Sequence, residues 1–227
     1  MDFKLLFVGR KAMEINMQNK GKFIVFEGID GSGKSTQIKL LAQKLRDKGI
    51  ACHETLEPTY GMVGEVLHDI LSGKKTANPK VTAALFAADR LDHLTNEENG
   101  VCKLLAEGTT VICDRYYFSS YAYQSVEVPS EWVVDANRLA ADTQKPDCTL
   151  FIDISPDTAM KRISQNRENI EIYETHERLT AVREGYFAAF EKMKNSEKIK
   201  VFDGDKDIEV LAEEISSFVL KEIFAEI

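Results

Sequence analysis

Between Phe23 and Thr36 the chain reads Phe-Ile-Val-Phe-Glu-Gly-Ile-Asp-Gly-Ser-Gly-Lys-Ser-Thr. The spacing Gly28-x4-Gly33-Lys34-Ser35 is the full glycine-loop pattern for holding phosphates. Glycines let backbone N–H groups turn inward, and a helix N-terminus adds partial positive charge. Lys34 supplies a full charge for β- and γ-phosphates, and the Ser35 hydroxyl suits Mg2+. A flexible turn with a surface lysine would carry the same letters. Context argues against it: the apolar run Phe23 to Phe26 reads as a buried strand. After the loop, Ile38, Leu41, Ala42 and Leu45 fall at helical spacing, and Gly49 ends that helix. Asp30, inside the loop, could take Mg2+ through water, accept a hydrogen bond, or organise an acceptor phosphate; it could also be a plain polar turn residue.

Three further groupings have chemistry in them. Asp114-Arg115 closes a β-branched run, Thr109 to Asp114. An acid there is placed for Mg2+, and an Arg beside it can grip a phosphoryl group with two donors. Phe86 and Arg90 lie one helical turn apart, so the ring could stack on a base while the guanidinium bonds its edge or phosphate. Their bland alternative is a core Phe and a solvated Arg. Tyr116, Tyr117, Phe118, Tyr121 and Tyr123 form an aromatic cluster of the kind more often found in cores, with Ser120 and Gln124 adding hydrogen-bonding capacity. Finally, Arg162 to Arg178 is polar and charged with few apolar anchors. It reads either as a solvated loop or as a mobile lid that excludes water and brings an Arg to a transferring phosphate.

The elements that must position these groups alternate. Strand candidates are Phe23 to Phe26, Ala51 to Leu56, Thr109 to Asp114, Cys148 to Ile154 and Lys198 to Phe202. Between them, Val63, Val66, Leu67, Ile70 and Leu71 mark a helix ending near Gly73. Pro79 opens a long one with Val81, Leu85, Ala88, Leu91 and Leu94 on one stripe. Asn96 to Gly100 breaks it, and Val101 to Ala106 continues. Ser130 is placed to cap a helix carrying Trp132, Val133, Ala136, Leu139 and Ala140. Ser155-Pro156 opens a short helix, Glu177 to Lys194 buries Leu179, Val182, Tyr186 and Phe190, and Ile208 to Ala225 is the last. The pattern is α/β, a doubly wound parallel sheet flanked by helices. Ligands in such sheets sit at the carboxyl ends of the strands, so the loops beginning at Gly28, Glu57, Arg115 and Ser155 are expected to share one rim.

At 227 residues, 44% hydrophobic and 29% charged, the chain fits one soluble domain, residues 22–227. Its net charge of −8 argues against a nucleic acid polymer as partner. The four cysteines are scattered without metal spacing, and Cys52, Cys113 and Cys148 lie in apolar runs as reduced core thiols. No stretch approaches the roughly 18 apolar residues of a membrane span, and Leu5 to Val8 is too short for a signal-peptide core. A cytoplasmic location without a membrane partner is the expectation. Residues 1–21 read as an N-terminal extension, disordered or loosely docked, with Met13 and Met17 as alternative starts.

The ordered set of motifs resembles the thymidylate kinases, P-loop kinases that phosphorylate dTMP to dTDP. It comprises Phe26 to Gln37, Glu57-Pro58, Leu85 to Arg90, Asp114-Arg-Tyr116, Ser119 to Gln124, Lys145-Pro-Asp147 and Glu171 to Glu174. The resemblance implies a P-loop NTPase fold with a five-stranded parallel sheet, a lid at about 162–178 and a homodimer. It implies ATP and dTMP as substrates for dTTP synthesis, with Mg2+ held by Ser35 and Asp114. Gly28, Ile29, Asp30, Gly31, Ser32, Gly33, Lys34, Ser35, Thr36 and Arg162 would bind ATP. Glu57, Tyr60, Phe86, Arg90, Arg115, Ser120, Tyr123, Gln124 and Tyr173 would bind dTMP: Phe86 stacked on thymine, Arg90 at the base edge, Arg115 at the phosphate, Tyr123 under the deoxyribose and Tyr173 over the nucleotide. The catalytic set is Asp30, Lys34, Arg115 and Arg167. Arg167 is included because the loop Asp30-Gly31-Ser32 lacks the Arg some members carry there; Arg162 and Arg178 stand behind it. Leu56 replaces an Arg of many bacterial members, and other members put Phe where Glu57 stands. Other readings are another nucleotide or deoxynucleoside kinase on this scaffold, or a nucleotide-binding regulatory protein.

Overall fold

The computed structural model describes residues 20–166 and 175–224. Five parallel strands form one sheet in the order β2-β3-β1-β4-β5. They are β1 Phe23–Glu27, β2 Cys52–Leu56, β3 Thr110–Asp114, β4 Cys148–Asp153 and β5 Ile199–Asp203. Each lies within a residue or two of its sequence expectation. Residues 1–19 of the expected extension and 167–174 of the expected lid lie outside the described residues, while 162–166 and 175–178 lie within them.

Side chains of β1 alternate between two cores, as the period of a strand requires. Phe23 and Val25 join Val111, Cys113 and Phe151 on one face. Ile24 and Phe26 join Ile112, Leu150 and Ile152 on the other. The second face is covered by α1, Lys34–Asp47, and by the last helix, Ile208–Glu222. Ile38, Leu41, Ala42 and Leu45 are its buried apolar positions on α1, as their spacing predicts. The first face carries α3 Pro79–Thr95, α4 Val101–Ala106, α5 Tyr117–Tyr123, α6 Ser130–Thr143, α7 Pro156–Asn166 and α8 His176–Met193, and α2 Met62–Leu71 packs against α3. On α8 Leu179, Val182, Tyr186 and Phe190 are buried, as expected.

Four local expectations need correction. The buried positions of α3 are Thr82, Ala83, Ala87, Asp89, Arg90 and Leu94, while Val81 stands 51% exposed. Periodicity missed this because the buried face carries an acid and an arginine that find partners in other elements. Ser130 is the first residue of α6, with Pro129 in the capping position. On that helix Trp132 and Leu139 face outward, and Val133, Asn137 and Ala140 face in. Cys52 is only half-buried because β2 is an edge strand; all four thiols are free.

Candidate active site

The first group to place is the loop after β1. Gly28, Gly31 and Gly33 have φ of 150°, 78° and 93°, a region side chains disfavour. A Cβ on Gly28 would stand 2.7 Å from the Ile152 carbonyl oxygen, and one on Gly31 2.9 Å from that of Ala159. The loop is thus pressed against β4 and α7 by glycine alone. Lys34 is buried and donates from Nζ to the carbonyl oxygens of Gly28 (3.0 Å) and Ile29 (3.1 Å). Burial lowers the Lys34 pKa and nearby Arg115 lowers it further, while Asp114, Asp30 and Glu27 oppose them.

A cleft of about 660 Å³ opens over this loop. Asp30 through Gln37 line it, with Glu57, Tyr60, Asp114, Arg115 and Arg162 from other rim segments. Gly28 and Ile29 lie beneath, offering carbonyls rather than cleft surface. Arg162 bonds the Gly204 carbonyl at 3.1 Å. Gly204, Lys206, Ile208 and Leu211 complete the wall, a contribution the sequence reading missed. The signal for it was Gln37, whose amide donates to the Ile208 carbonyl at 3.0 Å and ties α1 to that loop.

Ser35 and Asp114 meet as a pair: Ser35 Oγ donates to Asp114 Oδ2 at 3.0 Å. The other oxygen, Asp114 Oδ1, is buried and has no hydrogen-bond partner among the described residues. A hydroxyl, a carboxylate and an orphaned carboxylate oxygen are the hard oxygen donors that suit Mg2+.

Arg115 follows Asp114 with φ 72°, rare for a residue with a side chain. Its N–H bonds the Phe26 carbonyl at 2.8 Å. Its guanidinium bonds Asp30 at 2.6 Å and lies over the Tyr123 ring at 4.9 Å. Tyr123 Oη in turn donates to Asp30 at 2.8 Å. Asp30, Arg115 and Tyr123 therefore form one closed triangle.

Beyond that triangle lies a second cavity, about 70 Å³, with Phe86, Leu71, Pro58 and Gln124 among its lining residues. Arg90 lines it too, yet is buried to 1% exposure. The bland expectation for this pair is reversed: the arginine is in the core and Phe86 is half-exposed into the cavity. Arg90 donates to Glu57 (Nε, 2.7 Å), Ser120 (3.0 Å), Asn137 and the Tyr116 carbonyl (3.1 Å). Of an arginine's five N–H groups, that leaves one on Nη2 without a partner among the described residues. Ser120 thus meets Arg90 rather than the cavity directly. Glu57 also accepts from His93 at 3.0 Å, and neighbouring Asp89 takes Thr59 N (2.8 Å) and Oγ1 (2.6 Å). α3 so anchors the loop after β2 at two points. From that loop Tyr60 projects, 74% exposed, stacked on His68 at 4.7 Å. Arg167 and Tyr173 lie outside the described residues.

The first cleft and the second cavity share Asp30, Glu57 and Arg115 as a common wall. A family model described as thymidylate kinase matches residues 26–215. The chain is 35% identical over 211 residues to the thymidylate kinase of Clostridium novyi (strain NT), covering 88% of this chain and 99% of that one. It is 35% identical over 208 residues to the thymidylate kinase of Ligilactobacillus salivarius, covering 88% and 98%. A probable thymidylate kinase of Methanocaldococcus jannaschii is 40% identical over 173 residues, covering 75% of this chain and 82% of its own.

Proposed function

The chain belongs to the thymidylate kinase family, and from that premise we infer that it transfers the γ-phosphate of ATP to dTMP, giving dTDP and ADP. The observation that carries this reading is the shared wall. A phosphate-loop cleft and an aromatic-lined cavity meet at Asp30, Glu57 and Arg115, where two phosphates would have to approach each other.

In this reading ATP lies along Asp30 to Thr36 with Lys34 at its β- and γ-phosphates. Arg162 and the Gly204 to Ile208 segment flank its nucleoside end. The acceptor enters the smaller cavity: Phe86 stacks on thymine, the remaining Arg90 N–H meets the base edge, and Gln124 borders it. Tyr123 underlies the deoxyribose and leaves no room for a 2′-hydroxyl. Arg115 and Tyr60 take the dTMP phosphate, and Asp30 stands between the two phosphate groups. A dTMP phosphate oxygen attacks the γ-phosphorus in line, the bond to the ADP oxygen breaks, and no covalent enzyme intermediate forms. Phosphoryl transfer of this kind is positioning plus charge neutralisation. Arg167 adds positive charge to the transferring group, and Tyr173 covers the nucleotide. Ser35 and Asp114 would hold Mg2+, which when bound neutralises phosphate charge.

Trp132, Leu139 and Val81 expose apolar surface on α6 and α3, which supports a face between two copies in a homodimer. Four free thiols support a cytoplasmic location; no helix among the described residues is long and apolar enough to cross a membrane.

The test is ADP release from ATP and Mg2+ with dTMP, dUMP, dCMP, dGMP, AMP and thymidine offered separately. Strong stimulation by dTMP above the others is expected. A flat profile at the background rate would refute the assignment and leave a nucleotide-binding regulatory role.

A further inference from the structure

Glu27 is the last residue of β1 and is fully buried, yet it touches neither cavity. Its Oε1 accepts from the backbone N–H groups of Tyr116 (2.9 Å) and Ser119 (3.1 Å). Its Oε2 accepts from Ser119 Oγ (2.6 Å) and Tyr186 Oη (2.7 Å). Four donors converge on two carboxylate oxygens and fill the acceptor sites that a buried carboxylate offers.

Where those donors lead is the informative part. Ser119 Oγ and Tyr186 Oη also accept from Arg115 Nη1, at 3.2 and 3.4 Å. The residues flanking Glu27 reach the same arginine: the Phe26 carbonyl takes its backbone N–H at 2.8 Å, and the Gly28 carbonyl takes Nη1 at 3.2 Å. Three consecutive residues of one strand end therefore hold the backbone, the head and the side contacts of Arg115. Tyr186 reaches this point because α8 crosses α5 at Gly185, where a Cβ would sit 3.2 Å from the Ala122 backbone.

We propose that Glu27 is a positioning residue for the acceptor phosphate: through Ser119 and Tyr186 its buried carboxylate fixes the Arg115 guanidinium relative to the phosphate loop. The proposal rests on the reading of Arg115 as the holder of the dTMP phosphate. Glu27 acts through Arg115 and touches no substrate. A rival role, a bolt joining β1, α5 and α8, would change stability alone.

The experiment compares the full-length wild type with E27Q, Y186F, R115A and the double variant E27Q/R115A. E27Q keeps the shape but replaces one acceptor oxygen by an amide that donates. Its KM for dTMP should rise about tenfold or more, the scale of a lost charge-assisted hydrogen bond. Its KM for ATP should stay within about twofold, and thymidine, which has no phosphate, should bind as to the wild type. Added to R115A, E27Q should cost no further dTMP affinity, because the arginine it acts through is gone. Y186F removes a single oxygen and should give a smaller shift in the same direction. The proposal is overturned if dTMP KM is unchanged in E27Q, or if its loss adds in full to that of R115A. Should E27Q not fold, Y186F decides, and an unchanged dTMP KM there overturns it equally. Failure of the reaction assignment would appear in the wild type itself, as ADP release that ignores dTMP.

Discussion

Lys34 and Arg115 hang from one atom: the Gly28 carbonyl oxygen accepts from Lys34 Nζ at 3.0 Å and from Arg115 Nη1 at 3.2 Å. In the proposed reaction one cation would serve the donor phosphates and the other the acceptor phosphate, and a single backbone oxygen sets the position of the two side chains relative to each other. The arrangement has a cost without ligand. Two like charges stand close together, and burial with Arg115 lowers the Lys34 pKa.

Substituting Lys34 by Met should therefore leave the ligand-free protein as stable as the wild type or more so, by up to about 2 kcal/mol, because a desolvated charge is removed. ATP binding should fall severely in the same variant. Thermal unfolding with and without ATP reads both. A large loss of stability without ligand would show that the two carbonyl bonds outweigh the desolvation.

Ser35→Ala and Asp114→Asn act on the candidate Mg2+ pair. Both should raise the Mg2+ concentration for half-maximal activity by about tenfold or more, the range seen when support for a metal is lost. Asp114→Asn removes the charge and should be the worse of the two. Titration of activity with Mg2+ at saturating ATP checks the order. An unchanged Mg2+ requirement in both would move the metal elsewhere.

Glu27 makes stability depend on pH in a specified direction. Burial raises its pKa above the ordinary 4.5, against the pull of Ser119, Arg115, Tyr186 and the Tyr116 N–H. Lys34, Cys113 and Arg90 are its other charged or titratable neighbours. A raised carboxyl favours the folded state fully below the unfolded value and loses that contribution as pH rises through the folded value. Relative to Glu27→Gln, which does not titrate, the wild type should lose stability as pH climbs above 4.5, with a slope of at most about 1.4 kcal/mol per unit. Denaturant unfolding of both proteins across that range checks it. Parallel curves would mean that Glu27 titrates as it does in the unfolded chain.

How much of this was visible in the sequence depends on how local each feature is. Strand, glycine loop and helix α1 were legible because their signals follow one another along one unbroken stretch of chain, Phe23 to Asp47, and the α8 face because four apolar residues keep one period. Arg90 was legible as a candidate beside Phe86, but its burial was not. Its partner Glu57 is 33 residues away and Asn137 is 47 residues away, so nothing local shows that it lies in the core. Glu27 and Tyr186 were hidden for the same reason, 159 residues apart. The wall of Gly204, Lys206, Ile208 and Leu211 forms no local motif, and the link to it, Gln37 to the Ile208 carbonyl, spans 171 residues.

The candidate arginines for the transferring phosphate separate by kinetics. Arg162→Ala should raise the KM for ATP, since Arg162 lines the donor cleft beside Gly204. Arg167→Ala should instead lower kcat by roughly ten- to a thousandfold, by comparison with arginine fingers. Single-turnover rates at saturating substrates make the comparison. An unchanged rate in Arg167→Ala would pass the role to Arg162 or Arg178.

The last prediction concerns how thymine is read. Arg90 is held on four sides, by Glu57, Ser120, Asn137 and the Tyr116 carbonyl. A guanidinium gripped this way presents its remaining N–H in one direction only. Asn137 is 1% exposed on α6, and its own amide donates to the Val133 carbonyl at 2.8 Å, so its Oδ1 cannot turn away from Arg90. Asn137→Leu keeps the branching of the side chain, with bulkier methyl groups, but removes that acceptor, leaving a buried donor unpaired at about 1–3 kcal/mol. The guanidinium should then sample more than one orientation. The expected result is a KM for dTMP raised about tenfold, a weaker preference for dTMP over dCMP, and an ATP KM that does not move. Ser120→Ala should act in the same direction, because it removes the other acceptor of the same nitrogen. If Asn137→Leu weakens dTMP and dCMP equally, the grip on Arg90 supports the fold and contributes nothing to telling the bases apart.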